Sequence, residues 1–214
     1  AIAFRAGIWN IGADGQLVAG AAAAAWVGVS APTSIGWMAL PLVLVAGAIA
    51  GGIWAMIAAW LRSRFDVLEV ISTIMLNFIA TYAVSYLVRG PLQEPTHVYP
   101  QTSSIVRGAR MPSMIAGSQL HWGFAIAIIL AVAAWWFMEH SASGFRITTS
   151  GASPFAARSA GLINVSRVTT IAFIASGAIA GLAGAIEVSG VTFALYESIS
   201  PGYDYTAIAV ALLA

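Results

Sequence analysis

Asn10, Asp14 and Gln16 crowd one short stretch, and Asp204 occupies a similar setting far along the chain. Gly12-Ala13-Asp14-Gly15-Gln16 precedes an apolar run beginning at Leu17, and Gly202-Tyr203-Asp204-Tyr205-Thr206 precedes one beginning at Ala207. Each reads as glycine, spacer, aspartate, spacer, polar residue, then an apolar helix, with the acid where a helix dipole favours negative charge. The chemistry on offer is hydrogen bonding and charge. Two readings stand: a pair of ordinary capped helix starts, or two related broken helices of an internally repeated transporter, whose half-helix ends lie beside a solute path.

Further polar residues sit inside apolar runs. Glu69, Thr73, Asn77, Thr81 and Ser85 recur every four residues, which on a 3.6-residue period makes a slowly drifting stripe on one side of a helix. That stripe must face protein or water. It serves either interhelical hydrogen bonds, worth about 0.6 to 2 kcal/mol each, or the lining of a solute pathway. Asn77 lies mid-span and is expected to approach Asn10, Asp14 and Gln16 near the midplane, with Thr81 on the same path. Glu69 lies close enough to the membrane boundary to snorkel or to pair with Arg62 or Arg64.

Glu187 interrupts another run, on a face shared with Ala180 and Gly184. An acid in the bilayer costs several kcal/mol unless paired or hydrated, so it is expected to be shielded and hydrogen-bonded, as part of the path or as a structural link. Classical catalytic signals are missing. His97, His121 and His140 lack metal-ligand spacing, and there is no Walker loop, nucleophile elbow or zinc-protease motif. A carboxylate pair of Glu187 and Asp204 would make an intramembrane enzyme, but nothing beside it supplies a nucleophile or metal. If ATP drives this protein, another chain hydrolyses it.

The elements that must position these residues are membrane helices. Hydrophobic residues make up 60% of the chain and charged ones 8%, and mean hydropathy is +0.88. Several runs approach the ~20 residues that cross a ~30 Å hydrocarbon core. The expected fold is all-α and polytopic, a single transmembrane domain over 1–214, with spans at Leu17–Ala31, Ile35–Leu61, Val70–Val88, Gly123–Met138 and Val168–Val191 and a truncated sixth at Ala207–Ala214. A start without methionine and a stop within an apolar run suggest the middle of a longer protein. Cysteine is absent and the net charge is +1, which leaves no thiolate metal site and no footprint for nucleic acid. Small residues at Gly47 and Gly51, Gly177 and Gly181, and Ala180 and Gly184 allow helix backbones to approach closely.

Arginine placement gives orientation. With the turn at Arg62 to Asp66 on the cytoplasmic side, Arg5, Arg62, Arg64, Arg146, Arg158 and Arg167 lie inside, and Arg89, Arg107 and Arg110 outside. Six against three favours that direction. The polar stretch 139–167 is then cytoplasmic, and it contains a helix cassette from Ser153 to Gly161: Ser153 to cap, Pro154 for the first turn, Arg158 for the carboxyl end of the dipole, and Gly161 to stop it. Spanning does not require such a helix; docking to a soluble partner would. The outer loop 89–121, with four prolines, is too long for a turn and suits a landing surface for an external binding protein.

The strings FRAGIWNIGADGQLVAGA, LEVISTIMLNFIATYAVSYLVRGPL, GFRITTSGASPFAARSAGLINVSRVTTIAFIASGAIAGLAGAIEVSG and YDYTAIAVALLA resemble, in order and over nearly the whole chain, permease subunits of bacterial ABC importers for nucleosides and simple sugars, of the ribose and branched-chain amino acid permease group. The resemblance implies an inner-membrane permease that pairs with a second permease subunit, cytoplasmic ATP-binding subunits and an extracytoplasmic solute-binding protein, and that binds no cofactor of its own. It also implies a coupling helix over Gly151 to Gly161, with Gly151, Ser153, Pro154, Phe155, Ala157, Arg158 and Gly161 at the ATPase. Thr148, Thr149 and Ser153 depart from the basic, small aliphatic and asparagine residues usual there. A passive channel, with the stripe as pore lining, is the alternative reading of the same residues.

Overall fold

The computed structural model describes residues 2–115, 117–118, 120–159 and 164–213. At its centre is α2 (Ala13–Ser30), whose Ala21, Ala24 and Ala25 are fully buried. Such small side chains let α3 (Ala39–Phe65) and α8 (Val165–Glu187) reach backbone contact with it. At the crossing Gly20, Gly47, Gly51, Gly177 and Gly181 face one another. A Cβ added to Gly181 would overlap the Gly47 carbonyl and lie 2.7 Å from Gly51 Cα. With no water to expel inside a bilayer, close packing of this kind is what holds helices together.

Around this core lie α4 (Glu69–Arg89), against α2, and α5 (Trp122–His140), whose only buried residue is Gly123. α1 (Ile2–Arg5), α6 (Ala142–Ala152) and α7 (Pro154–Ser159) gather at one end, and α9 (Tyr203–Leu213) closes the described chain. Among the described residues, four helical stretches are long and apolar enough to cross a membrane: Thr33–Phe65, Glu69–Arg89, Trp122–His140 and Val165–Thr192. The fold is all-α and polytopic. The expected span Leu17–Ala31 is the difference from five, because α2 begins at Ala13, takes in Asp14 and Gln16, and lies inside the bundle rather than against lipid.

The arginine-rich end is organised by contact. Arg5 reaches Glu139 at 3.2 Å, Arg62 reaches Glu69 at 3.5 Å, and Gly7 packs its backbone on Gly151. This is the end that the arginine count expects on the cytoplasmic side. The polar stretch 139–167 holds a helix that the sequence did not reveal: Ser141 Oγ accepts from Gly144 N at 2.9 Å to cap α6, and Gly144, Ile147 and Ser150 form its buried face. α3 also runs past Arg62 and Arg64 and stops at Asp66, which adopts a left-handed conformation (φ 56°) that a short polar side chain tolerates.

At the opposite end the 89–121 loop is folded onto the bundle. Thr102 N donates to Leu195 O at 3.0 Å, Ile105 N to Phe193 O at 2.9 Å, Val106 N to Gly28 O at 3.0 Å and Met111 N to Ser189 O at 2.8 Å. Ile105 is buried beneath it, while Val98 and Tyr99 remain outward.

Candidate functional site

The first turn of a helix carries unpaired N–H groups, and Gly12 at the cap position of α2 has no side chain to satisfy one. Asn77 does so from the neighbouring helix. Its Oδ1 accepts from Gly15 N at 2.9 Å, and its Nδ2 donates to Ile11 O at 2.9 Å. Asn77 stands eight residues into α4 from Glu69, about 12 Å along the axis at 1.5 Å per residue, so α2 starts within the membrane thickness.

A second amide pair locks the chain leading into that start. Asn10 Nδ2 donates to Gln16 Oε1 at 2.9 Å and to Ser176 Oγ of α8 at 3.1 Å, while Asn10 Oδ1 accepts from Gln16 Nε2 at 3.0 Å and Gly12 N at 3.1 Å. Both amides are buried. The node is therefore uncharged, rich in donors and acceptors, and built from α2, α4 and α8 together.

Asp14 faces the other helix start. After α8 ends in a π turn (Val188–Thr192), residues 193–202 run back from the outer end beside α4. Glu197 accepts from Ser85 Oγ at 2.6 Å and from Arg89 through Nε at 3.2 Å and Nη2 at 2.7 Å, a forked pair. The Arg89 and Ser85 hydrogen bonds hold the Glu197 carboxyl below its usual pKa. Further in, Ser200 Oγ donates to the Asp14 carboxylate, Gly202 turns at φ 90°, and α9 begins. Two helices thus start beside each other, α2 within the bundle and α9 at its exposed flank, approached from opposite ends.

Of the residues singled out in the sequence, Asn10, Gln16 and Asn77 converge on the start of α2, and Asp14 sits one step beyond. Thr81 is exposed one turn above Asn77 and donates to its backbone carbonyl at 3.0 Å. Asp204 lies in α9, its side chain outside the described set. Glu187 does not join the node: it is eleven residues, about 16 Å, along α8 from Ser176. Nor does its carboxylate meet the expected helix partner, since it makes no hydrogen bond among the described residues and the turn of α8 into π geometry begins at the next residue.

In the cassette, Ser153 Oγ accepts from Ala156 N at 3.3 Å, Pro154 opens α7, and Phe155 and Arg158 are exposed. Two of the expected coupling residues turn inward instead: Ala157 is 1% exposed, and Gly151 packs on the backbone of Arg5 to Gly7. Gly161 lies outside the described residues. Ser176, Ser200 and Glu197 complete the two helix starts without having been visible in the sequence, because each acts through a partner more than a hundred residues away.

An all-α bundle with four helices long and apolar enough to cross a bilayer is a multi-pass membrane protein. The chain belongs to the family described as branched-chain amino acid transport system / permease component, which matches residues 1–214. It is similar to the glucose ABC transporter permease of Haloferax volcanii (38% identity over 98% of this chain) and the guanosine ABC transporter permease of Bacillus subtilis (38% over 100%). A nucleoside ABC transporter permease of Lactococcus lactis is 31% identical over 100%. The chain spans 57, 62 and 61% of the lengths of these three proteins. No solved structure matches it.

Proposed function

We propose that the chain is the translocating portion of an ABC importer permease for neutral, hydroxyl-bearing solutes, nucleosides or simple sugars. The observation that supports this reading most is the uncharged node of Asn10, Gln16, Asn77 and Ser176 beside two helix starts, in a chain whose relatives are named as glucose, guanosine and nucleoside permeases. Hydroxyl groups both donate and accept, so a passing sugar ring can exchange for these amide bonds without moving charge into the membrane. Asp14 and Thr81 border the same route.

ATP is bound and hydrolysed by separate cytoplasmic subunits that dock on α7, where Phe155 and Arg158 are presented. A second permease subunit and an extracytoplasmic solute-binding protein complete the assembly, the latter seated on the outer loop near Val98 and Tyr99. ATP-driven closure pushes α7, and the helices rock to alternate access. The direct test is uptake of labelled nucleosides and sugars by the assembled transporter in proteoliposomes. Arg158→Glu should lower ATP-dependent uptake at least tenfold with folded yield unchanged, since the residue is exposed. Uptake that proceeds without ATP would favour a passive channel, and wild-type coupling in the variant would remove α7 as the docking element.

A further inference from the structure

Behind α7, at the cytoplasmic end, α3, α6 and α8 and the chain before α2 enclose a cavity of about 310 Å³, within the size of small-molecule sites. Two polar atoms on its wall are unaccounted for. Ser150 Oγ, on a fully buried residue, and Arg62 Nη1 are both buried with no hydrogen-bond partner among the described residues. Buried polar groups are nearly always paired, and each one left over calls for an explanation.

Charge decides what could pair them. Arg62 and Arg158 line the cavity together with Asp66 and Glu69, so the wall carries two positive and two negative groups, with Arg62 Nε already 3.5 Å from Glu69 Oε2. An anion would meet two carboxylates and a cation two guanidinium groups. A neutral molecule with several hydroxyls meets no such opposition, and it can accept from Arg62 while donating to a carboxylate. The remaining wall suits the same class, with Thr170 adding a hydroxyl.

We propose that this cavity is a second, cytoplasmic-side binding site for a neutral polyhydroxy solute, distinct from the node at the start of α2. On α8 the two are neighbours, since Phe173 of the cavity and Ser176 of the node lie one turn apart. A solute leaving the node inward would meet this site next, directly under α7. The inference rests on the reading of the chain as a sugar or nucleoside permease.

These 214 residues contain no cysteine, so label found on peptides from them reports the introduced thiol. Ser150→Cys and, independently, Thr170→Cys would be made in the assembled transporter and labelled with a small methanethiosulfonate reagent, with Ala152→Cys as a control outside the cavity. Adenosine, ribose and glucose at millimolar concentration, and sodium phosphate at the same concentration, are the probes. The expected result is labelling slowed threefold or more by at least one neutral solute in a cavity variant, with phosphate inert and the Ala152→Cys rate unchanged. Protection by phosphate alone, equal slowing of the control, or no protection in either cavity variant would overturn the site. ATP-driven uptake measured on the same preparation tests the permease reading separately, so failure of one is not mistaken for failure of the other.

Discussion

The start of α2 is fixed by neutral amides buried between three helices, whereas the start of α9 is fixed by a forked ion pair near the surface and one hydroxyl–carboxylate contact. The first arrangement leaves Gly12 and Gly15 pressed against Thr73 and Asn77, so that a Cβ on either would come within about 2.8 Å of the α4 side chains. The second leaves Tyr203 and Tyr205 exposed. Local opening follows the density of buried contacts, so of two sequence-related helix starts one is a fixed reference and the other is free to shift against it. A transporter needs both.

Breaking the fixed side should have the largest effect. Asn77→Leu removes the acceptor of Gly15 N and the donor to Ile11 O at once and leaves one buried and one half-buried backbone group unpaired, at about 1 to 3 kcal/mol for the buried one and less for the other. The thermal unfolding midpoint should drop sharply and uptake should fall with it; a variant as stable as wild type would show that α2 does not depend on α4 for its cap.

Ser200→Ala cuts the link between the two starts. The loss should be smaller, about 1 to 2 kcal/mol for a membrane hydrogen bond to a carboxylate, and it should be one-sided. Hydrogen exchange should quicken in α9 while the amides of α2 keep their protection. Equal loosening of both helices would erase the distinction drawn between them.

Glu197→Gln should have the least effect at neutral pH, because the ion pair with Arg89 is largely open to water and screened. Its pH dependence has a definite sign. The folded-state pKa of Glu197 is lowered, so its stabilisation is fully present above the ordinary carboxylate value of about 4.3 and is lost as pH falls through the lowered folded value. The wild-type advantage over Glu197→Gln, read as a difference in unfolding midpoints, should be constant between pH 6 and pH 5 and shrink below pH 4. A difference that grows on acidification would mean that another group governs this segment.

The two starts themselves were legible in the sequence, although the contrast between them was not. The two Gly-x-Asp helix starts, the four-residue stripe on α4 and the glycine pairs follow from local spacing, and local spacing is what a single sequence exposes. What stayed hidden depends on long-range pairing. Ser176 is a lone serine in an apolar stretch of α8 with no local polar partner, and only the fold brings it to Asn10. α6 was hidden for another reason: its Ser, Thr and Gly content reads as a loop, and only the three-residue spacing of Gly144, Ile147 and Ser150 behind the cap at Ser141 hints at a buried helical face. Glu187 follows Gly184 on α8, but no hydrogen bond to its carboxylate forms among the described residues, and a shared stripe does not by itself supply a partner.

The glycine crossing of α2, α3 and α8 also has a mechanical meaning. Where Gly20, Gly47, Gly51 and Gly181 bring three backbones together, no flexible side chain lies between them to absorb displacement, so the helices move as one body. On the proposed reading α8 is a pushrod: its inner end stands over the cavity beside α7, and its middle is welded to the helix whose first turn carries Gln16. A thrust at that end would be shared by the welded helices, with α2 keeping its place among them, while α9, outside the weld, is the part free to move. The stroke would be the change in distance between Asp14 and Ser200.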